Sequence, residues 1–313
     1  MGNEIPGVAA DAFAQHFMED AASDLAGAEA AARTLGEVRR LGLETHAWEL
    51  EAHGYTVLPP DQVGPPEFAA RVRDVVLACG EKRAGRPLDP DGAALSGLNT
   101  PFGQVQMESS LLLEDEVFEQ ALMNEPALAL ITYLLGESCI LNHLSAMIKG
   151  PGPDHLPLHT DQNQSGGPPP FTAYAQVANA TWALTDYTPE NGSLCFVPSS
   201  HKLCRPPTTR EATDLSLFQP VIAPAGSVII WHGNTWHGAF RRTNPGFRVS
   251  LVAYFTRGYL SRFDDLRTKI PSESLARNPP RFARLVGAPG LQGTTEGFNS
   301  YASARAARNN LFA

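Results

Sequence analysis

Two short stretches of the chain carry side chains able to hold a metal ion. In Leu158-His159-Thr160-Asp161 an extended backbone sends residues two apart to the same side, so the His159 imidazole and the Asp161 carboxylate can converge on one ion. A lone His-x-Asp is by default a loop histidine beside a solvated acid. Here it is followed by Trp231-His232-Gly233-Asn234-Thr235-Trp236-His237-Gly238-Ala239, in which two histidines flank a turn, and by a strand opening Arg248-Val249-Ser250. A hairpin turning through Thr243 to Gly246 would set Arg248 opposite or nearly opposite His237 rather than His232. Strand alternation sends Arg248, Ser250 and Val252 to one face and Val249, Leu251 and Ala253 to a packed face. A buried arginine needs an anion.

Two histidines and one carboxylate on one face of an octahedral metal, with the other positions open, are the ligands of non-haem Fe(II) sites that activate dioxygen. The arginine specifies the companion. A guanidinium takes a carboxylate through two parallel hydrogen bonds, and Ser250 can donate a third, so an organic dicarboxylate whose other end chelates the metal is expected. Iron(II) with 2-oxoglutarate and O2 meets both requirements.

Over roughly residues 100 to 260 the sequence resembles the phytanoyl-CoA dioxygenase-like branch of Fe(II)/2-oxoglutarate oxygenases. The resemblance rests on Leu158-His159-Thr160-Asp161, on Asn191-Gly192-Ser193-Leu194 running to Pro198-Ser199-Ser200-His201, and on His237 with Arg248 eleven residues later. It implies a double-stranded β-helix (jelly-roll, cupin-like) core, iron ligation by His159, Asp161 and His237, and a 2-oxoglutarate site with Arg248 and Ser250 on the distal carboxylate. It also implies that Trp182 stands near the cosubstrate, and that Gln104 stands where some relatives have a cosubstrate-binding lysine. Ser199 replaces the usual glycine of a Pro-Gly-Ser-His turn, at little cost if its φ stays below zero. Halogenating members have a small residue where this chain has Asp161, so hydroxylation is the expected chemistry.

The other histidines have plainer roles. His201 is expected to order the turn after Pro198, His155 to lie on a surface or substrate lid, and His232 to sit at a strand end as the alternative third ligand. Two readings compete with the oxygenase: a cupin-type metal-dependent hydrolase or isomerase in which Arg248 binds substrate, and a jelly-roll binding protein that turns nothing over. Substrate contacts are expected from mouth loops, with Gln162 and Asn163 offering amides and Phe171 and Tyr174 apolar surface. They suit a small-molecule metabolite and do not identify it.

The elements that must position these residues are mainly β with flanking helices. Ala9 to about His53 reads as two or three helices, the apolar residues Leu25, Leu35, Val38, Leu41 and Leu43 giving a surface for packing or self-association. Tyr55 to Leu58 is a short strand. Asp61 then suits the N-cap of a helix buried through Phe68, Val72, Val75, Val76 and Cys79, and Glu114 to Asn124 and Pro126 to Leu135 form a helical pair closed by a left-handed Gly136. Strands are expected at 139–148, 171–186, 193–197, 221–222, 227–231, 236–240 and 248–256, parted by turn-formers with no helical crossovers, hence antiparallel. Residues 1–54 read as a helical extension and 55–313 as the jelly-roll domain, the two integrated into one unit.

Composition narrows the remaining possibilities. Over 313 residues, 43% hydrophobic and 18% charged with a mean hydropathy of -0.18, the chain suits a folded globule, and a net charge of -9 repels a phosphate backbone, so nucleic acid is not an expected partner. No apolar run approaches the length of a membrane span, and an acidic N-terminus without signal-peptide features points to the cytoplasm. Four scattered cysteines without a CxxC pair are expected to stay reduced. Residues 241–313 hold eleven arginines and one lysine against four acids, which suits complementary surfaces within the fold or a homo-oligomer, or a basic rim for an anion.

Overall fold

The computed structural model describes residues 27–85, 87–88, 105–165, 167–264 and 266–288. Two antiparallel sheets face one another. The larger has the order β1-β8-β5-β10-β3-β2, formed by β1 (Tyr55–Leu58), β2 (Val105–Glu108), β3 (Ile140–Lys149), β5 (Val177–Ala183), β8 (Val228–His232) and β10 (Arg248–Thr256). The smaller is β4-β9-β6-β7, from β4 (Leu156–His159), β6 (Leu194–Phe196), β7 (Gln219–Pro220) and β9 (His237–Ala239). From β3 to β10 the chain passes back and forth between the two sheets, broken only where β6 and β7 follow one another in the small one, which is the jelly-roll arrangement.

That alternation overturns the expected hairpin. The turn at 243–246 carries the chain from the small sheet to the large one, so His237 pairs with His159 and Phe196 whereas Arg248 pairs with Lys149. The short β9 leaves its sheet at Ala239 before a hairpin can form. Both faces of β10 are nonetheless buried. Val249, Leu251 and Ala253 pack into the main core beneath the helices, and Arg248 and Ser250 turn into the space between the sheets, 5% and 0% exposed.

Helices cover the outer face of the large sheet. α1 (Gly27–Arg40) and α2 (Glu44–His53) are followed by the single turn α3 (Pro60–Val63) and by α4 (Pro66–Ala84). Asp61 is therefore inside α3 rather than capping a longer helix. Pro65 and Pro66 impose the break, because the residue before a proline is pushed out of helical geometry while proline itself suits the first turn. Asp115 caps α5 (Glu116–Leu122) and Asn124 caps α6 (Glu125–Leu135), each accepting a backbone N–H. Gly136 ends α6 at φ 81°, ψ 169°, an extended conformation open to glycine rather than the left-handed cap expected. Among the described residues three further helices follow: α7 (Thr209–Thr213), α8 (Ser272–Arg277) and α9 (Pro280–Val286).

Val38, Leu43, Ala47 and Leu50 of the first two helices belong to the same apolar core as Leu130 of α6 and Leu251 of β10, while Leu35 stays exposed. Leu25 lies outside the described residues. The arginine-rich C-terminal part finds partners within the fold: Arg277 on α8 pairs with Glu116 at 2.8 Å and with Glu119 at 2.6 Å, both on α5. Cys79, Cys139, Cys195 and Cys204 are all free thiols. No described helix is long and apolar enough to cross a membrane.

Candidate metal centre

His159 ends β4, Asp161 opens the tight turn after it, and His237 begins β9 directly opposite His159. One ligand atom from each lies within 4.8 Å of the others. The Nε2 atoms of His159 and His237 stand 4.0 and 3.4 Å from the Asp161 carboxylate oxygens, and the two imidazole centroids are 4.2 Å apart. Each histidine uses Nδ1 on the backbone carbonyl two residues earlier, Pro157 at 2.9 Å and Thr235 at 3.0 Å. Such a bond fixes Nδ1 as the protonated nitrogen and leaves the Nε2 lone pair for an ion. Burial holds His237 down to about 4, more strongly than Asp161 raises it, so the ring is neutral at physiological pH.

The surroundings keep this geometry. Asp161 Oδ2 accepts from Asn179 Nδ2 at 2.7 Å and from Trp231 Nε1 at 3.3 Å, and Tyr254 OH donates to the Asp161 carbonyl at 3.4 Å. Asn179, Trp231 and Tyr254 come from β5, β8 and β10, so three strands of the large sheet clasp a residue attached to the small one. At Gly238 a Cβ would collide with the Leu156 carbonyl, which explains the glycine beside His237. His232 is directed elsewhere. Its Nδ1 accepts from Asn234 N at 3.0 Å and its ring faces His201 at 5.3 Å, outside the His159, Asp161 and His237 group.

Arg248 lies in the same inter-sheet space. One guanidinium nitrogen donates to Tyr187 OH at 3.0 Å and to Ser250 Oγ at 3.4 Å, whereas the buried Nε has no partner. A buried cation with an orphaned donor and a hydroxyl beside it suits a carboxylate.

Trp182 requires a correction. On β5 the residue that reaches Asp161 is Asn179, and a strand reverses face at every residue, so Trp182 points outward into the helix-covered core, its ring 5.4 Å from that of Phe68 on α4. Gln104 lies outside the described residues. Gln162 is buried beside Asp161 with its N–H on the Gly233 carbonyl, Asn163 is exposed, Phe171 is buried, and Tyr174 is exposed beneath Arg257. Ser199 adopts φ 65°, against expectation, because its N–H and hydroxyl bond the His53 and Ala52 carbonyls and offset the left-handed strain. His201, with Nε2 on the Glu51 carbonyl, secures the same seam.

Sequence reasoning missed Asn179, Trp231, Tyr187 and Lys149. Asn179 had a readable signal, a lone amide within the apolar run Val177-Ala178-Asn179-Ala180. Lys149, directly after the apolar run Ala146-Met147-Ile148, had a similar one.

The family model for phytanoyl-CoA dioxygenase (PhyH) matches residues 50–250. Dioxygenase af480 of Aspergillus fumigatus is 29% identical over 175 residues, 55% of either chain, so this chain spans little more than half the length of that relative. Among solved structures, HygX from Streptomyces hygroscopicus with nickel and 2-oxoglutarate bound aligns with a TM-score of 0.55 at 16% identity, covering 70% of this chain and 89% of its own. SnoN, an epimerase from nogalamycin biosynthesis in complex with Fe3+, alpha ketoglutarate and nogalamycin RO, aligns at 0.52 and 20%, covering 71% and 86%. At such identities the likeness is one of fold.

Proposed function

The chain belongs to the phytanoyl-CoA dioxygenase family, and we propose that it is an Fe(II)- and 2-oxoglutarate-dependent oxygenase of a small molecule, with His159, Asp161 and His237 as iron ligands. The observation that carries this reading is the pair of histidines whose Nδ1 atoms are spent on backbone carbonyls, leaving both Nε2 atoms beside the Asp161 carboxylate. Two imidazole nitrogens and a carboxylate suit Fe(II), and Arg248 with Ser250 suits the distal carboxylate of the cosubstrate. Bound iron with 2-oxoglutarate and O2 would supply oxidation of an unactivated C–H bond, releasing succinate and CO2.

The chain's own residues orient and enclose. Asn179 and Trp231 hold the Asp161 carboxylate, and Arg248 fixes the far end of a dicarboxylate through its guanidinium plane. Tyr254, bonded to the Asp161 carbonyl, carries Phe263 stacked on its ring at 5.7 Å, and Phe263 is 56% exposed. This aromatic wall leads outward from Asp161 and is where the prime substrate is proposed to lie.

Succinate formation from 2-oxoglutarate, dependent on Fe(II) and lost in Asp161→Ala, tests the class. Neither the cupin hydrolase nor the binding protein would form succinate. A gain of one oxygen in the substrate's mass marks hydroxylation, whereas an unchanged mass with inverted configuration marks the epimerase outcome known by name from SnoN.

A further inference from the structure

Lys149 ends β3 directly opposite Arg248, which opens β10. Directly opposed residues of an antiparallel pair leave the sheet on one face, with Cβ atoms about 4.5–5.5 Å apart. Two cations therefore enter the inter-sheet space side by side, 4% and 5% exposed. Lys149 Nζ donates to the Phe240 carbonyl, and Arg248 to Tyr187 and Ser250. Among the described residues neither has a carboxylate within ion-pair distance, since the buried acids Glu108 and Glu119 pair with Arg83 and Arg277 and Asp161 belongs to the metal centre. Arg242, also buried, is spent on the Gly246, Asn191 and Pro245 carbonyls. Two adjacent buried cations with no internal anion are costly unless one discharges or an anion joins them.

We infer that Lys149 is a second binding cation for the distal carboxylate of 2-oxoglutarate, closing on it from β3 while Arg248 and Ser250 close from β10. The inference rests on the proposal that this barrel takes 2-oxoglutarate. The charged and titratable groups around Lys149 are Arg248 on β10, Cys195 on β6, His155 ahead of β4, and Arg241 and Asp154 beside His155. Without ligand, burial and then Arg248 push Lys149 down to about 7. A carboxylate between the two cations restores the proton. Binding therefore takes up a proton above neutral pH, and affinity falls by up to about tenfold per pH unit until the bound pKa is reached. Arg248 alone would give no such dependence, because a guanidinium stays charged.

The test is calorimetric titration of 2-oxoglutarate into the Fe(II)-loaded protein without oxygen, at about pH 6.5 and about pH 8.5, in buffers of different ionisation heat. The control ligand is 2-oxopentanoate, which lacks the distal carboxylate. The wild-type chain should bind 2-oxoglutarate at least about tenfold more weakly at the higher pH, with proton uptake there. Lys149→Met should weaken binding about tenfold or more at the lower pH, abolish the uptake, and leave 2-oxopentanoate binding within about twofold. A Lys149→Met protein that keeps the wild-type affinity and pH profile overturns the inference while leaving the cosubstrate reading intact. If Lys149→Met does not fold, Lys149→Arg decides: binding without proton uptake at either pH is expected, and a retained wild-type pH profile overturns the inference. A wild-type chain that binds no 2-oxoglutarate at either pH overturns the cosubstrate reading itself.

Discussion

Asn179 Nδ2 lies 2.7 Å from Asp161 Oδ2, and this bond ties the middle of β5 in the large sheet to the turn that follows β4 in the small one. The amide orients a carboxylate that must face two imidazoles at once. Asn179→Ala removes the orientation without touching a ligand, so Fe(II) affinity should fall about 10- to 100-fold. Competition titration against a metal chelator measures it, alongside thermal unfolding of the metal-free chain. Unchanged affinity would mean that Trp231 alone suffices to hold Asp161.

The two histidines of the 231–239 segment separate cleanly. His237→Ala should abolish Fe(II) binding, whereas His232→Ala should retain it, because His232 faces His201 and bonds Asn234 N rather than Asp161. Metal content after loading and gel filtration reads both variants. Iron kept by His237→Ala and lost by His232→Ala would exchange their roles.

What the sequence disclosed about this site follows the range of the interactions involved. His159 and Asp161 are two residues apart, so local strand geometry suffices to bring them together. Arg248 was recognised by residue type, an arginine in an apolar strand, but the hairpin argument for its position failed. Strands adjacent in sequence are not adjacent in a sheet here, because the jelly roll sends β9 and β10 to opposite sheets. Trp182 was placed by motif and lost by parity, since Asn179 three residues earlier fixes which face of β5 looks inward. Asn179, Trp231 and Lys149 act through partners at least 18 residues away. Only the assembled barrel supplies those partners. Tyr55–Leu58 and Val105–Glu108 are both four-residue edge strands, but only the first, Tyr-Thr-Val-Leu closed by two prolines, carries a strand pattern, whereas Val-Gln-Met-Glu carries none.

Arg248 should set cosubstrate affinity through geometry as well as charge. Lysine keeps the charge but cannot reproduce the planar fork or its place against the Tyr187 ring, 5.3 Å from the guanidinium carbon. Arg248→Lys should raise the apparent KM for 2-oxoglutarate by about tenfold or more, with little change in that for the prime substrate. Equal increases in both would assign Arg248 to the substrate, the cupin reading.

Acid should destabilise the metal-free chain in a defined window. Burial and then His201 hold His232 down to about 4, and burial lowers His201 as well. The unfolded chain takes up these protons first, so the folded state is unpenalised above about pH 6.5 and loses stability as pH falls from there toward 4, by about 3 kcal/mol for His232 alone. His232→Asn keeps an acceptor for the Asn234 N–H and has no titration. Urea unfolding between those limits should therefore show a slope shallower by up to about one proton for the variant. Equal slopes would show that His232 already titrates normally in the folded chain.

The N-terminal helices offer the last test, of whether they buttress the barrel or serve association. Leu43 is 1% exposed at the junction of α1 and α2, its N–H on the Val38 carbonyl, and both side chains enter the core that also holds Leu130 and Leu251. Residues 51–54, where α2 ends, also bond the turn after β6 and the turn that leads into His237. Glu51 accepts from His201, His53 accepts from Ser199 N, and Gly54 accepts from both His232 N and Thr235 Oγ1. A helix pair so placed stabilises its own subunit. Leu43→Ala should therefore cost about 2–5 kcal/mol of unfolding free energy, with no change in mass by light scattering. Because His237 takes its orientation from the Thr235 carbonyl, loosening the 51–54 seam should also weaken Fe(II) binding, less than Asn179→Ala does. A Leu43→Ala protein of wild-type stability that has lost a subunit partner would instead assign these helices to association.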